Sequence, residues 1–341
     1  MTGAPSFTNT ETRAKDKRRK ALETARRNTI YHLRCEILHL AMLEGEHCRL
    51  RFKAPEIAAA ALPGQFVNVR YPGGIPETVA FQTYAELIEH HRHKPPAEPP
   101  FLLARPFGVH RVDTDAGCVE ILFKMVGRGT RLLAQAGAGA DLDVLGPIGN
   151  SFNLVPPPQT AVLVAGGTGI APLYLLARRL HDAGSKLVVL VGTGHAIPMT
   201  VSDSEEVVHF LDEDVTAVID DYVALGAVVR IATIKPRKGC LTGTAIDLFS
   251  GYLKSLKPGE HAGKQIFSCG PWAMQARVAE LAKQAGITCQ VLLEERMGCG
   301  LGACMACVCK VKQDSGEFKN KRVCVDGPVF RAEDIGWNQR D

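Results

Sequence analysis

Ala161-Val162-Leu163-Val164-Ala165-Gly166-Gly167-Thr168-Gly169-Ile170-Ala171-Pro172 runs from an apolar stretch through a glycine-rich turn into LYLLARRL, residues 173–180. Five apolar residues followed by glycines and then by apolar residues at helical spacing predict a strand, a tight turn and a helix. The glycines let the backbone turn sharply and approach a phosphate, whose charge suits the amides and dipole at a helix start. Pro172 fits the first helical turn, where its missing N–H is not needed. The same turn would also serve plain tight packing, so at this point both readings stand.

Downstream, KLVVLVG (186–192), AVVRIAT (227–233), QIFSCG (265–270) and the helix-like WAMQARVAELAKQAG (272–286) continue the alternation. That pattern predicts an α/β domain with a parallel sheet over residues 156–293, opened by the linker Pro156-Pro157-Pro158. Upstream, ILHLAML, CRLRF, GQFVNVR, CVEILFKMV and DLDVLGP are short apolar runs separated by Gly, Pro and Asp. They predict an antiparallel β-barrel over 29–155. Residues 73–100 interrupt it with GGIPE, a brief helical pattern and HHRHKPPAEPP, whose prolines mark a surface insertion. His90, His91 and His93 could ligate a metal, but they have no acidic or cysteine neighbour, and a solvated loop is the simpler reading. Residues 1–28 form a basic extension in which Lys17, Arg18, Arg19 and Lys20 run together. With no interleaved aromatic for base stacking, the extension reads as a solvated tail, and no nucleic acid is expected.

The 341 residues are 46% hydrophobic and 22% charged, with a formal charge of +4. That composition suits two or three modest cores. No apolar run approaches the roughly 20 residues of a membrane helix, and the N-terminus is charged. No membrane partner and a cytoplasmic location are therefore expected. Of 11 cysteines, Cys35, Cys48, Cys118, Cys240, Cys269 and Cys289 are scattered and read as free buried thiols. The other five crowd into MGCGLGACMACVC (297–309) and KRVCVDGPVF (321–330). Cys299, Cys304 and Cys307 are spaced C-x4-C-x2-C, with Cys324 following, which is the plant-type [2Fe–2S] pattern. Gly298, Gly300, Gly302, Ala303 and Ala306 would let the chain wrap closely around such a cluster. A four-thiolate zinc site is the alternative, although only Cys304 and Cys307 have the C-x2-C spacing such sites favour. Cys309 is a fifth candidate. Residues 294–341 are therefore expected to be a small third domain stapled by its cluster.

A barrel followed by a Gly-rich α/β domain resembles the ferredoxin reductases, and further segments fit that resemblance. Arg105-Pro106-Phe107-Gly108 is similar to the family's flavin signature, in which the arginine meets the FAD pyrophosphate; a Ser or Thr is usual where Gly108 stands. Gly127-Arg128-Gly129-Thr130 resembles the second phosphate loop, and Gly146-Pro147-Ile148-Gly149-Asn150-Ser151-Phe152 resembles the turn that closes the barrel, with Gly149, Asn150 and Ser151 implied to contact the cofactor. Ser268-Cys269-Gly270-Pro271 resembles the nicotinamide-side motif, implying a catalytic role for Cys269 against the reactive ring. Gly166, Gly167, Thr168 and Gly169, with Gly270 and Pro271, would then hold NAD(H). Val191–His195 contains no arginine for a 2′-phosphate, which favours NADH. Ile234–Gly239 departs from the acidic, Gly-rich segment expected there.

CGxGACxACVC and RVCxDGPVF, C-terminal to a reductase module, resemble the electron-transfer subunits of class 1B dihydroorotate dehydrogenase. The resemblance implies an oxidoreductase subunit of pyrimidine biosynthesis carrying FAD, a [2Fe–2S] cluster on Cys299, Cys304, Cys307 and Cys324, and NAD(H). It also implies an FMN-containing catalytic partner, in a heterotetramer with two of each chain. Two other readings remain open from the residues: a reductase subunit of a hydrogenase or sulfide dehydrogenase, and a zinc-stapled binding module.

Overall fold

The barrel closes because its first strand bends. In the computed structural model, which describes residues 29–71, 79–83, 85, 86, 89, 104–194 and 196–339, β1 (Ile30–Leu43) pairs through residues 31–36 with β7. Beyond a register shift at Ile37/His39 it pairs with β2 instead. An extra residue at such a shift sharpens the bend and twist of the strand, here carrying it from one barrel face to the next. The remaining elements are β2 (His47–Lys53), α1 (Pro55–Ala60), β3 (Phe66–Arg70), β4 (Val79–Phe81), β5 (Arg105–Asp113), β6 (Cys118–Lys124), α2 (Arg128–Ala134) and β7 (Asp141–Ile148). Six strands in the order β1-β2-β6-β5-β3-β7 return to β1, all antiparallel. Cys48, Leu50 and Phe52 point inward while Arg49 and Arg51 point out, the period-two alternation of a strand with one buried face. β4 lies within the stretch expected to be only an insertion and flanks β1. The basic run at 17–20, His90, His91, His93 and His195 lie outside the described residues.

The second sheet is built from β8 (Thr160–Gly166), α3 (Ile170–Asp182), β9 (Lys186–Thr193), a small pair β10 (Val201–Asp203) and β11 (Ala217–Ile219), α4 (Asp220–Val223), β12 (Val228–Thr233), β13 (Leu241–Thr242), α5 (Ala245–Ser255), β14 (Lys264–Cys269), α6 (Trp272–Gln284) and β15 (Thr288–Leu292). Its order is β13-β12-β9-β8-β14-β15, all parallel. β8 and β14 are central neighbours, with Ala165 opposite Cys269, so the glycine turn and the Cys269 turn emerge side by side at the C-terminal edge of the sheet. Ligands bind at that edge in open α/β sheets. α3 is buried along one side of its length and on both sides of its first two turns, Ile170 to Ala177. It is wedged between this sheet and the barrel: His110 of β5 meets the Ala171 carbonyl at 2.7 Å, and the Arg111 guanidinium sits 4.3 Å over the Tyr174 ring.

The C-terminal region holds β16 (Val308–Lys312), β17 (Phe318–Arg322) and β18 (Val329–Arg331). β16 and β17 form a hairpin, whereas β18 leaves it and joins the large sheet antiparallel to β15. Cys307, Cys309, Val311, Val323 and Cys324 share one buried cluster with Phe66 and Ile148 of the barrel and Val291 of the sheet. The region thus borrows apolar surface from both neighbours.

Candidate functional site

A cavity of about 470 Å³ opens where barrel, sheet and C-terminal segment meet. One wall is Arg105-Pro106-Phe107-Gly108, a second is Gly127 to Thr130, and a third is Leu292 to Glu295 with Met297. The Arg105 guanidinium lies directly on the Cα of Gly129, in the space a Cβ there would occupy. A cation held over glycine backbone in a mostly apolar slot, with Lys124 and Arg128 also on its lining, fits a flat ring with an anionic tail, as FAD has. Thr130 works inside its own loop: its hydroxyl accepts from the Val126 and Gly127 N–H groups at 3.0 and 3.2 Å and donates to the Gly127 carbonyl at 3.1 Å. Gly108 has a packing cause. A Cβ there would stand 2.8 Å from Pro172 Cβ, so the space that a serine would need is filled by the first turn of α3.

A second cavity, about 570 Å³, lies at the edge of the sheet. Gly166, Gly167, Thr168, Thr193 and Pro271 line it from the sheet side, and Gly45 to His47 from the barrel. The two turns are pressed together: a Cβ on Gly169 would strike the Cys269 carbonyl, and one on Gly270 would stand 2.8 Å from the Gly166 nitrogen. Gly270 has φ 151°. Thr193 is buried, and its Oγ1 has no partner among the described residues, leaving a hydroxyl for whatever enters. In the departing segment, Arg237 reaches across to the barrel and holds both carboxylate oxygens of Glu44, at 2.7 and 2.9 Å.

Lys124, Thr168 and Glu294 line both cavities and mark where two ligands would meet. Cys269 lies behind that junction, fully buried, its Sγ donating to Glu294 Oε1 at 3.7 Å. Burial pushes the thiol well above its ordinary value, and the Glu294 carboxylate adds to the effect. Burial also raises the Glu294 carboxyl, with the Cys269 hydrogen bond pulling the other way. Glu294 opens onto the cavities while protein atoms crowd it from behind, so its surroundings are poorer in water than its exposure implies. A protonated thiol of this kind serves as a positioning donor rather than a nucleophile. Sequence reasoning used Glu294 only as a boundary; the missed signal is an acidic residue directly after the apolar strand end VLL.

Gly149, Asn150 and Ser151 line neither cavity. Asn150 instead grips the C-terminal segment: its Nδ2 donates to the Val329 carbonyl at 2.8 Å, its Oδ1 accepts from Val329 N–H at 2.9 Å, and its own N–H reaches the Gly327 carbonyl at 2.6 Å. Gly149, at φ 86°, lies against Pro328.

The four candidate cluster cysteines fall into two pairs. Cys299 hydrogen-bonds with Cys304, and Cys307 with Cys324. The Leu301 and Cys304 N–H groups each point at Cys299 Sγ at 3.3 Å. Within the second pair, the shared hydrogen bond favours the thiolate on Cys307 and holds the proton on Cys324. Among the described residues no three Cys, His, Asp or Glu side chains gather around a single ion. Two thiol pairs suit two irons, one pair to each, better than one tetrahedral ion. Gly300 and Gly302, at φ 66° and 79°, press against Asn68 and Val325, which allows no Cβ at either position. Cys309 is buried in the shared core, and burial raises its thiol to about 12.

The model of the iron–sulfur cluster binding domain of dihydroorotate dehydrogenase B matches residues 294–336. The chain is similar to the dihydroorotate dehydrogenase B (NAD(+)) electron transfer subunit of Desulforamulus reducens, 30% identical over 304 residues, covering 89% of this chain and 97% of that one. The counterpart from Caldanaerobacter subterraneus subsp. tengcongensis is 35% identical over 236 residues, 68% of this chain and 81% of its own length. Among solved structures, an NADH-dependent reduced ferredoxin-NADP oxidoreductase superposes with a TM-score of 0.64 at 23% identity, covering 89% of this chain and 90% of that one. A ferredoxin reductase of carbazole 1,9a-dioxygenase gives 0.52 at 18% identity, over 76% and 67%. These two likenesses concern the fold. Among the described residues no helix is long and apolar enough to cross a membrane.

Proposed function

This chain belongs to the family of dihydroorotate dehydrogenase B electron transfer subunits, and from that premise we propose that it carries electrons between NAD(H) and a catalytic subunit that oxidises dihydroorotate to orotate. In this reading the barrel of residues 29–155 binds FAD, residues 156–293 bind NAD(H), residues 294–341 hold the [2Fe–2S] cluster, and residues 1–28 are an extension. The partner contains FMN, and the complex has two of each chain. Bound flavin supplies the exchange between a hydride pair and single electrons, and the cluster carries electrons singly.

The chain's own residues do the holding and the orienting. Arg105, seated on Gly129, meets the flavin pyrophosphate, with Pro106, Phe107 and Gly108 along the ring. The turn Gly166–Gly169 and its neighbour Gly270-Pro271 take the nicotinamide nucleotide. Glu294 would face the ring where the cavities join, and Cys269, buried behind it, would orient that carboxyl through its thiol hydrogen bond. Cys299, Cys304, Cys307 and Cys324 ligate iron. One observation carries the reading: one wall of the first cavity runs to Met297, two residues before Cys299, so one short segment touches both the flavin slot and the cluster loop. The absence of arginine from Val191 to Gly194, and the engagement of Arg237 with Glu44, support NADH over NADPH.

The test is a visible spectrum of the purified chain before and after anaerobic NADH, with iron and acid-labile sulfide assays. Flavin and cluster bands that both bleach are expected, as is dihydroorotate-dependent NAD⁺ reduction on co-expression with the catalytic subunit. Zinc in place of iron, or a colourless protein, would overturn the proposal.

A further inference from the structure

Asn68 sits in the middle of β3 and is 3% exposed. Its Oδ1 has no hydrogen-bond partner among the described residues. An amide buried in this way is destabilising for the unmet group. Phe66, two positions back on the same face, is apolar, and an aliphatic residue would fill position 68 without that cost.

Two relationships place the side chain. Along the strand, Asn68 shares its face with Phe66, which lines the candidate flavin cavity and packs in the same core as Leu301, Cys307 and Cys324. Across the ladder it lies opposite Pro106 of the Arg105-Pro106-Phe107-Gly108 strand. Its carboxamide closes on Gly300, the residue after Cys299. A Cβ at position 300 would overlap Nδ2 and stand 3.0 and 3.1 Å from Cγ and Oδ1. Gly300, at φ 66°, is thus the point where the cluster loop touches the strand beside the candidate flavin wall.

The chemistry of the contact is specific. Thiolate and sulfide sulfurs accept hydrogen bonds, and the Leu301 and Cys304 N–H groups already converge on Cys299 Sγ. A carboxamide nitrogen carries two N–H donors, and Nδ2 is the end of the group that lies nearest Gly300. The buried group can therefore present a donor to the loop.

We propose that Asn68 is a positioning residue that donates from its carboxamide to the sulfur shell at Cys299 and pins the cluster loop against the flavin-side strand. Donors aimed at sulfur stabilise the more negative, reduced state and so raise the reduction potential of a cluster. The inference rests on the reading that the four cysteines hold a [2Fe–2S] cluster.

The experiment uses the full chain. Asn68→Leu has nearly the same volume and no donor. Iron and labile sulfide per chain are measured, and the cluster midpoint is followed by a reductive titration monitored by electron paramagnetic resonance. Full iron and sulfide are expected, with the midpoint lowered by about a tenfold change in the reduction equilibrium, about 59 mV for one electron. An unchanged midpoint in a fully loaded variant would reduce Asn68 to packing. If the leucine variant does not assemble, Asn68→Ser and Asn68→Ala decide instead, since serine retains a donor and alanine does not. A higher midpoint in the serine variant supports the proposal, and equal midpoints refute it. Iron-free wild-type protein would overturn the underlying cluster reading instead.

Discussion

The sulfur of Cys269 lies 3.7 Å from Oε1 of Glu294, a contact between the end of β14 and the segment that leaves β15 for the cluster loop. The thiol is buried behind the glycine turn, while the carboxyl faces both cavities. Losing the thiol should let the carboxyl and the adjoining turn shift. Cys269→Ala is expected to slow reduction of bound flavin by NADH roughly tenfold to hundredfold, the scale of a misplacement near 1 Å, with flavin content retained. Anaerobic stopped-flow in the visible flavin band measures it; an unchanged rate would make the thiol mere filling.

Glu294 also gives a pH dependence. Burial raises its carboxyl above the ordinary value, so on raising the pH the unfolded chain ionises first. The stability of the neutral form is present below the unfolded value and is lost as pH rises through the folded one. Glu294→Gln removes that slope. The melting temperature of the variant should gain on wild type between mildly acidic and neutral pH, and parallel melting curves would contradict the assignment.

Gly108 shows where sequence reasoning was strong and where it stopped. The expected hydroxyl was missing, and nothing local explained the gap, because the cause is Pro172, 64 positions away and brought up by the docking of α3 on β5. Gly108→Ser should therefore strain that junction by about 1–3 kcal/mol and lower the melting temperature without improving flavin retention. Higher stability or tighter flavin would show that the proline yields.

The same division runs through the rest of the molecule. Strands with clean alternation, such as β2, and the glycine turn with its flanking strand and helix were legible because local spacing encodes them. β5 was not read as a strand: its Arg-Pro start and half-buried pattern give weak alternation. β18 was missed because three residues acquire strand geometry only by pairing with β15. Asn150 was read as a flavin-turn residue on resemblance, whereas its side chain is spent on Val329, 179 positions on. Sequence spacing marked four cysteines, but their division into two hydrogen-bonded pairs that leave Cys309 out required the folded loop.

Gly129 and Arg105 test the flavin slot. Any side chain at 129 must displace the guanidinium lying on its Cα. Gly129→Ala should purify with flavin absorbance reduced severalfold while iron and sulfide per chain stay at wild-type levels. Full flavin occupancy would mean that Arg105 can move aside without loss.

Cys309 and Cys307 are two residues apart and should behave oppositely. Cys309→Ala removes a thiol from the shared core and should keep its iron, with a stability loss of about 1 kcal/mol for the truncated side chain. Cys307→Ala removes one member of a thiol pair and should abolish the cluster bands. Iron lost from the first variant and kept in the second would exchange their assignments.

His110 makes the junction between barrel and α/β domain sensitive to acid. Its ring is fully buried; one nitrogen, Nδ1, bonds the Ala171 carbonyl at 2.7 Å, so Nδ1 carries the proton of the neutral form. The other lies 3.7 Å from Glu120 Oε1, a contact that favours protonation, as does Asp221, while Arg111 and Arg49 oppose it. Tyr174 covers the ring from α3 at 5.1 Å between centroids. Burial is the largest influence and takes the imidazole down to about 4. The unfolded chain therefore binds a proton near pH 6.5 that the folded chain refuses, so stability is full above that pH and is lost as pH falls toward 4. The loss is on the order of 3 kcal/mol once the unfolded ring is fully charged. His110→Asn keeps a donor for the Ala171 carbonyl but cannot titrate. It should be less stable than wild type at pH 7 through lost packing, and the gap should narrow as the pH is lowered to about 5, inside the window set by the ring's ordinary value. Thermal melts across that range decide the matter, and a gap that does not change with pH would mean that the ring does not control the junction.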